Sequence, residues 1–193
     1  MKENTKINVK AIFALLIAGL VWMFFNSGKG SDDQKLTTVQ MPSDEAEFVT
    51  IVSEAQEAIK SSTNDMQVGG VKARRDAEIC KLITETSING WLGKVEDIGA
   101  NSDGKGVISL KLADGITVRT WNNSFSDGSD NTLIESGTDV FESASSLKNG
   151  DIVRFSGDFI ADKSSCLRET SLSLRGKISS PEFIFRFRNI TKA

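Results

Sequence analysis

This chain of 193 residues contains no histidine and no tyrosine, and only two cysteines and two prolines. Without histidine it lacks the usual general base, the usual activator of a nucleophile and the commonest metal ligand. Two cysteines are too few for zinc-finger spacing. Chemistry is left to carboxylates, hydroxyls, Lys and Arg, and no pair of carboxylates has a spacing that assigns one acid and one base. The sequence is therefore read as non-enzymatic, with no cofactor and no metal. Surplus positive charge is missing too. The formal net charge is -3, which provides no overall attraction to nucleic acid or to anionic headgroups.

What is present begins with an uncharged apolar run, residues 11–25, behind Lys2, Lys6 and Lys10. At about 1.5 Å per helical residue it covers about 22 Å, short of the ~30 Å hydrocarbon core, and flanking Ile7, Val9 and a snorkelling Lys10 extend it. Two readings compete: an uncleaved anchor and a cleaved signal peptide. The run ends in Trp22-Met23-Phe24-Phe25 and is followed by Asn26-Ser27-Gly28, a poor small-x-small cleavage site, which favours the anchor. Lysines ahead of the run predict a cytoplasmic amino terminus, residues 1–10, with a single pass through the inner membrane and the remainder in the periplasm.

Residues 26–42 are rich in Gly, Ser, Asp and Lys and read as a flexible linker. From 43 to 84 the period is helical. Ser43 is the expected N-cap, with Phe48, Ile51, Val52, Ala55 and Ile59 forming one stripe. The tract at 61–65 and the pair Gly69-Gly70 are expected to interrupt it before Val71–Ile83 resumes the pattern, giving a helical hairpin or stalk. The stripe suits either a partner-docking surface or packing on the downstream domain. Lys72, Arg74 and Arg75 read as a solvated helix face.

From Ile88 the spacing alternates. Trp91, Gly93 and Val95 share a face of one strand, and Ile108, Leu110 and Leu112 share a face of a second. Asp114-Gly115 is a hairpin turn, and Ile116–Trp121 a third strand. A polar loop spans 122–136, and Thr138 or Asp139 then caps a short helix. In Leu147–Phe159 the residues Val153, Phe155, Gly157 and Phe159 fall on one face of a fourth strand. Leu172 and Leu174 suggest a further strand, and Phe183, Phe185 and Phe187 a last one after Pro181. Residues 87–193 thus read as β-rich, and the whole chain as α+β: an N-terminal transmembrane helix, a helical hairpin, then a Greek-key β-barrel.

Gly90-Trp91-Leu92-Gly93-Lys94-Val95, the hairpin, the short helix and Leu147-Lys148-Asn149-Gly150-Asp151-Ile152-Val153-Arg154-Phe155-Ser156-Gly157 resemble the G-x-V … L-K-x-G-D-x-V-x-F-x-G skeleton of bacterial OB-fold proteins. The chain as a whole is similar to membrane-anchored bacterial proteins with an OB-like outer domain. The resemblance implies a fold and carries over no catalytic residue.

Barrels of this kind bind ligands on strands two and three and the adjoining loops. There this sequence places Lys111, Arg119 and Trp121, continuing into Asn123 and Phe125, while Arg154 lies on the polar face of the fourth strand. These residues suit either a stacking and cationic binding stripe or aromatic barrel caps with arginines paired to carboxylates. Asp127, Asp130 and Glu135 lack D-x-D-x-D-G spacing and read as a solvated loop rather than a cation site. Cys80 and Cys166 are either a disulfide in an oxidising compartment or two free thiols. The expectation is a membrane-tethered interaction module that contacts another envelope protein. The alternative is an OB domain that binds single-stranded nucleic acid or a glycan, in DNA uptake or conjugation.

Overall fold

The computed structural model of the protein describes residues 40–193. The apolar run at 11–25, the amino terminus and the linker up to residue 39 lie outside the described residues. Among those described, no helix is long and apolar enough to cross a membrane.

Two helices come first, α1 (Ser43–Lys60) and α2 (Asp65–Leu82). Ser43 is the first helical residue of α1 rather than its cap. The Pro42 carbonyl accepts the Ala46 N–H at 3.0 Å, and the first turn carries Asp44 and Glu45 against the positive end of the helix dipole. Asn64 caps α2, its side chain accepting the Gln67 N–H at 3.0 Å. The helix then runs through Gly69-Gly70 without a break, because Val68 and Val71 on either side are buried against neighbouring chain. Tertiary packing outweighs the roughly 1 kcal/mol per glycine that propensity alone would charge.

The strands are β1 (Ser87–Ala100), β2 (Gly106–Ala113), β3 (Ile116–Arg119), β4 (Ile152–Phe159), β5 (Ala161–Asp162), β6 (Cys166–Leu167) and β7 (Glu182–Lys192). Three short helices intervene: α3 (Ser124–Asp127), α4 (Asp139–Ser145) and α5 (Gly176–Ser179). Thr138 caps α4 by accepting the Phe141 N–H. The long strands form one sheet in the order β1-β2-β3-β7-β4, and β4 pairs again with β1, so the ladder returns to its start. All these pairings are antiparallel except β3 with β7. Register shifts sit between Ile88 and Trp91 in β1 and between Ser156 and Gly157 in β4. At Gly157 the Arg186 carbonyl oxygen passes 2.0 Å from where a Cβ would stand, so only glycine fits there.

The expected strand through Leu172 and Leu174 is absent. Leu172 is fully exposed, Leu174 packs on Ala55, Ile59, Val68, Val71 and Ile178, and the chain makes α5 instead. Two leucines at alternate positions, with one serine between them, do not make a strand without a sheet edge to join. Ile184, between Phe183 and Phe185 in β7, is fully buried as well. Backbone bonds from Ile160 and to Arg168 lay the 160–170 segment beside it.

The main core joins Trp91, Val95, Ile108, Leu110, Val118, Phe155, Phe159, Phe183 and Phe185 with Phe48, Val52 and Ile79 from the helices. Phe48 is surrounded by aromatic rings, with centroids 5.3 Å from Trp91, 5.5 Å from Phe159 and 5.1 Å from Phe183. Met41–Ala193 is accordingly one compact unit, and the helical pair is part of it rather than a stalk. The α1 stripe serves packing. Arg75 is not on a solvated face either: its side chain is fully buried, paired with Asp76 at 2.7 Å and with Glu169, and donating to the Lys177 carbonyl. A disulfide joins Cys80 at the end of α2 to Cys166 in β6, with Cα atoms 5.6 Å apart.

Candidate binding face

Alternation in β2 and β3 sends Leu110, Leu112, Ile116 and Val118 inward, leaving Lys111, Thr117 and Arg119 half-buried on the outside. Lys111 pairs in register with Thr117, and Thr117 with Glu182 of β7. The Arg119 guanidinium meets the Glu182 carboxylate at 2.9 Å, and the Thr170 hydroxyl donates to the same oxygen at 2.7 Å. The Thr117 hydroxyl donates to Glu96 at 2.9 Å. Lys111 bonds to the exposed Asp114 at 2.7 Å, which holds the Asp114 carboxyl below its usual range.

At the end of this face the loop after β3 folds around two buried carboxylates. Asp130 accepts the Trp121 indole N–H at 2.9 Å and the Arg168 guanidinium at 2.6 Å on both oxygens, while its main-chain carbonyl accepts Arg186. Asp127 accepts the Thr132 N–H at 2.7 Å and the Thr132 hydroxyl at 2.8 Å, and that hydroxyl oxygen accepts the Trp121 N–H. The loop read as solvated is thus a folded structure with Asp127, Asp130 and Thr132 buried. Glu135 points elsewhere, to Lys105 at 2.5 Å. Among the described residues no cluster of His, Cys, Asp or Glu could hold a metal ion.

The structure therefore brings Lys111, Arg119 and Trp121 onto one face. Asn123 caps the adjoining α3, accepting the Ser126 N–H at 2.8 Å. Phe125, two residues on, is 97% exposed. Arg154 is not part of this group. It stands on β4, separated from β2 and β3 by β1 on one side and β7 on the other, and its guanidinium donates to the Gly90 carbonyl at 2.6 Å. Sequence reading found the cations but not the acids that neutralise them. Glu182 follows Pro181 and Asp130 sits in a polar loop, and neither position marks a partner across the fold.

Away from this face, Glu45 of α1 has no exposed surface. One carboxylate oxygen accepts the Leu92 N–H at 2.8 Å and the other has no partner. Burial pushes its pKa up to about 8. An apolar pocket of about 50 Å³ lies under α4, lined by residues including Ile98, Ile108, Ile134 and Phe141, and has room for only a few solvent molecules. Comparison of the chain with protein-family models, with curated proteins and with solved structures finds no match in any of the three.

Proposed function

We propose that this chain is a non-enzymatic, membrane-tethered module whose described unit is an OB-type barrel that docks on another protein of the cell envelope. Five long strands in Greek-key order, with the third and last parallel and a short helix between the third and fourth, support the OB-type reading. The Cys80–Cys166 disulfide supports an oxidising compartment for this unit. The Lys-flanked run at 11–25 supports the tether.

The observation that carries the docking reading is the neutralisation of the β2–β3–β7 face. Arg119 and Arg168 are held by Glu182 and Asp130, which leaves a charge-balanced surface rather than a phosphate-attracting groove. Beside it Phe125 offers an unpartnered aromatic side chain, the residue class that anchors protein interfaces. A photo-crosslinking side chain placed at Phe125 in the full chain, expressed in its own cells, tests this. A discrete adduct with one envelope protein is the expected outcome. Absence of any protein adduct would count against docking.

Phe125 also favours one second reading, a single-stranded nucleic acid or glycan stacked on it next to Asn122 and Asn123. That reading requires binding that weakens with salt and is lost in Phe125→Ala. No measurable binding at low salt would remove it.

A further inference from the structure

We propose that the first turn of α1 is a pH-sensitive clasp, in which Glu45 docks on β1 as a neutral carboxylic acid and lets go of it when ionised. The chain enters the compact unit through this turn, since α1 opens at Ser43 directly after the linker.

The clasp is built from two neighbouring acids that take two different donors. Asp44 accepts the indole N–H of Trp91 at 2.7 Å, and Glu45 accepts the main-chain N–H of Leu92 at 2.8 Å. Both donors follow the register shift of β1, where one extra residue is accommodated and Gly90 adopts a φ of 71°. On its other side the β1–β2 pairing does not reach Leu92, the last pair there being Lys94 with Lys111. Leu92 would have an orphan N–H at this point without Glu45. One turn further along α1, Phe48 inserts among Trp91, Phe159 and Phe183, so release of the first turn loosens the anchor of the whole helix.

The same arrangement is poor for a carboxylate. Glu45 is fully buried, and its second oxygen has no hydrogen-bond donor. A buried anion with an unsatisfied oxygen is costly. The charged groups that face it are Asp44 on the same helix, which opposes ionisation, and Arg154 of β4, which favours it. Arg154 is already committed to the Gly90 carbonyl, and Trp91 and Leu92 bring no charge. Docked Glu45 accordingly holds its proton up to about pH 8, whereas a solvated glutamate loses it near pH 4.3. When the turn undocks, the proton passes to solvent. Docking is strongest in mild acid, weakens by up to about tenfold per pH unit as the pH rises towards 8, and levels off above that.

Hydrogen exchange on the full chain in detergent or nanodiscs reads this directly, in peptides covering residues 41–52 and 87–95, between pH 6 and pH 9 and corrected for intrinsic rates. The wild type is expected to open progressively more often up to about pH 8. Glu45→Gln, which keeps the acceptor and removes the ionisation, is expected to exchange with no excess pH dependence. A wild-type profile without pH dependence overturns the proposal, as does an unchanged dependence in Glu45→Gln. Should that variant fail to fold, Asp44→Asn serves instead. Loss of the neighbouring negative charge is expected to move the midpoint to lower pH, and an unmoved midpoint overturns the clasp.

Discussion

Arg75 shows how much one side chain can conceal. It sits at the centre of a buried group that also includes Lys72, Asp76 and Glu169, with the Phe183 ring 5.9 Å from its guanidinium carbon. Removing one partner of a buried pair leaves the other charge without compensation, at a cost of about 3–5 kcal/mol. Arg75→Met is therefore expected to lower the unfolding free energy measured in urea by that amount, and Arg75→Met with Glu169→Gln to recover much of the loss. The sequence could not reveal this, because Arg75 stands next to Arg74 in a polar helical stretch and its acid lies far along the chain. Gly157 is the opposite case. The alternation already placed a glycine on the apolar face of this strand, and the Arg186 carbonyl supplies the reason. Gly157→Ala is expected to cost at least about 1–3 kcal/mol, measured by denaturant unfolding, because backbone must move to admit one methyl group.

For the elements, the sequence showed each apolar stripe but not its partner. The stripe of α1 pointed to packing on the downstream domain but was also compatible with a partner surface. Phe48 resolves it by lying in the same core as Trp91 and Phe159. Phe48→Ala is expected to destabilise by about 3–5 kcal/mol and to raise exchange across α1 more than across β4. The β5–β6 hairpin is held at its tip by Asp162, which accepts bonds from the hydroxyl and N–H of Ser164, then of Ser165. These bonds lower its pKa to about 2. Their contribution is complete above the ordinary aspartate range and is lost as the pH falls through about 2. Local exchange at residues 161–168 is expected to rise only in strong acid, on the opposite side of the pH scale from the effect at Glu45.

At the level of the whole unit, the Cys80–Cys166 bond ties α2 to the excursion after β4 across a sequence separation of 86. Closing a loop of that length is worth about 4.6 kcal/mol in the chain-entropy model. Reduction is expected to shift the urea midpoint downward by a corresponding amount while leaving the fold in place, and Cys80→Ser is expected to match the reduced protein. Equal midpoints with and without reductant would show that the bond adds nothing to stability. The buried Arg75 group and the disulfide fasten α2 to the same segment, residues 161–170. That segment covers Ile184 and completes the side of β7 that β4 does not reach.

The long strands and the first helix were legible because they depend on local periodicity: two-residue alternation in β2, β3, β4 and β7, and three-to-four spacing in α1. The Asp114-Gly115 turn and the cap of α4 were legible for the same reason, since a turn or cap depends on neighbouring residues. The Cys80–Cys166 pairing was legible for a different reason, there being only two cysteines to join. The acids opposite Arg119 and Arg168, and the roles of Arg75 and Glu45, were not. Each of these depends on which distant segment arrives beside a residue and on whether water remains there. Burial and charge compensation are properties of the folded neighbourhood, and a polar residue in a sequence looks the same whether it ends up in solvent or enclosed.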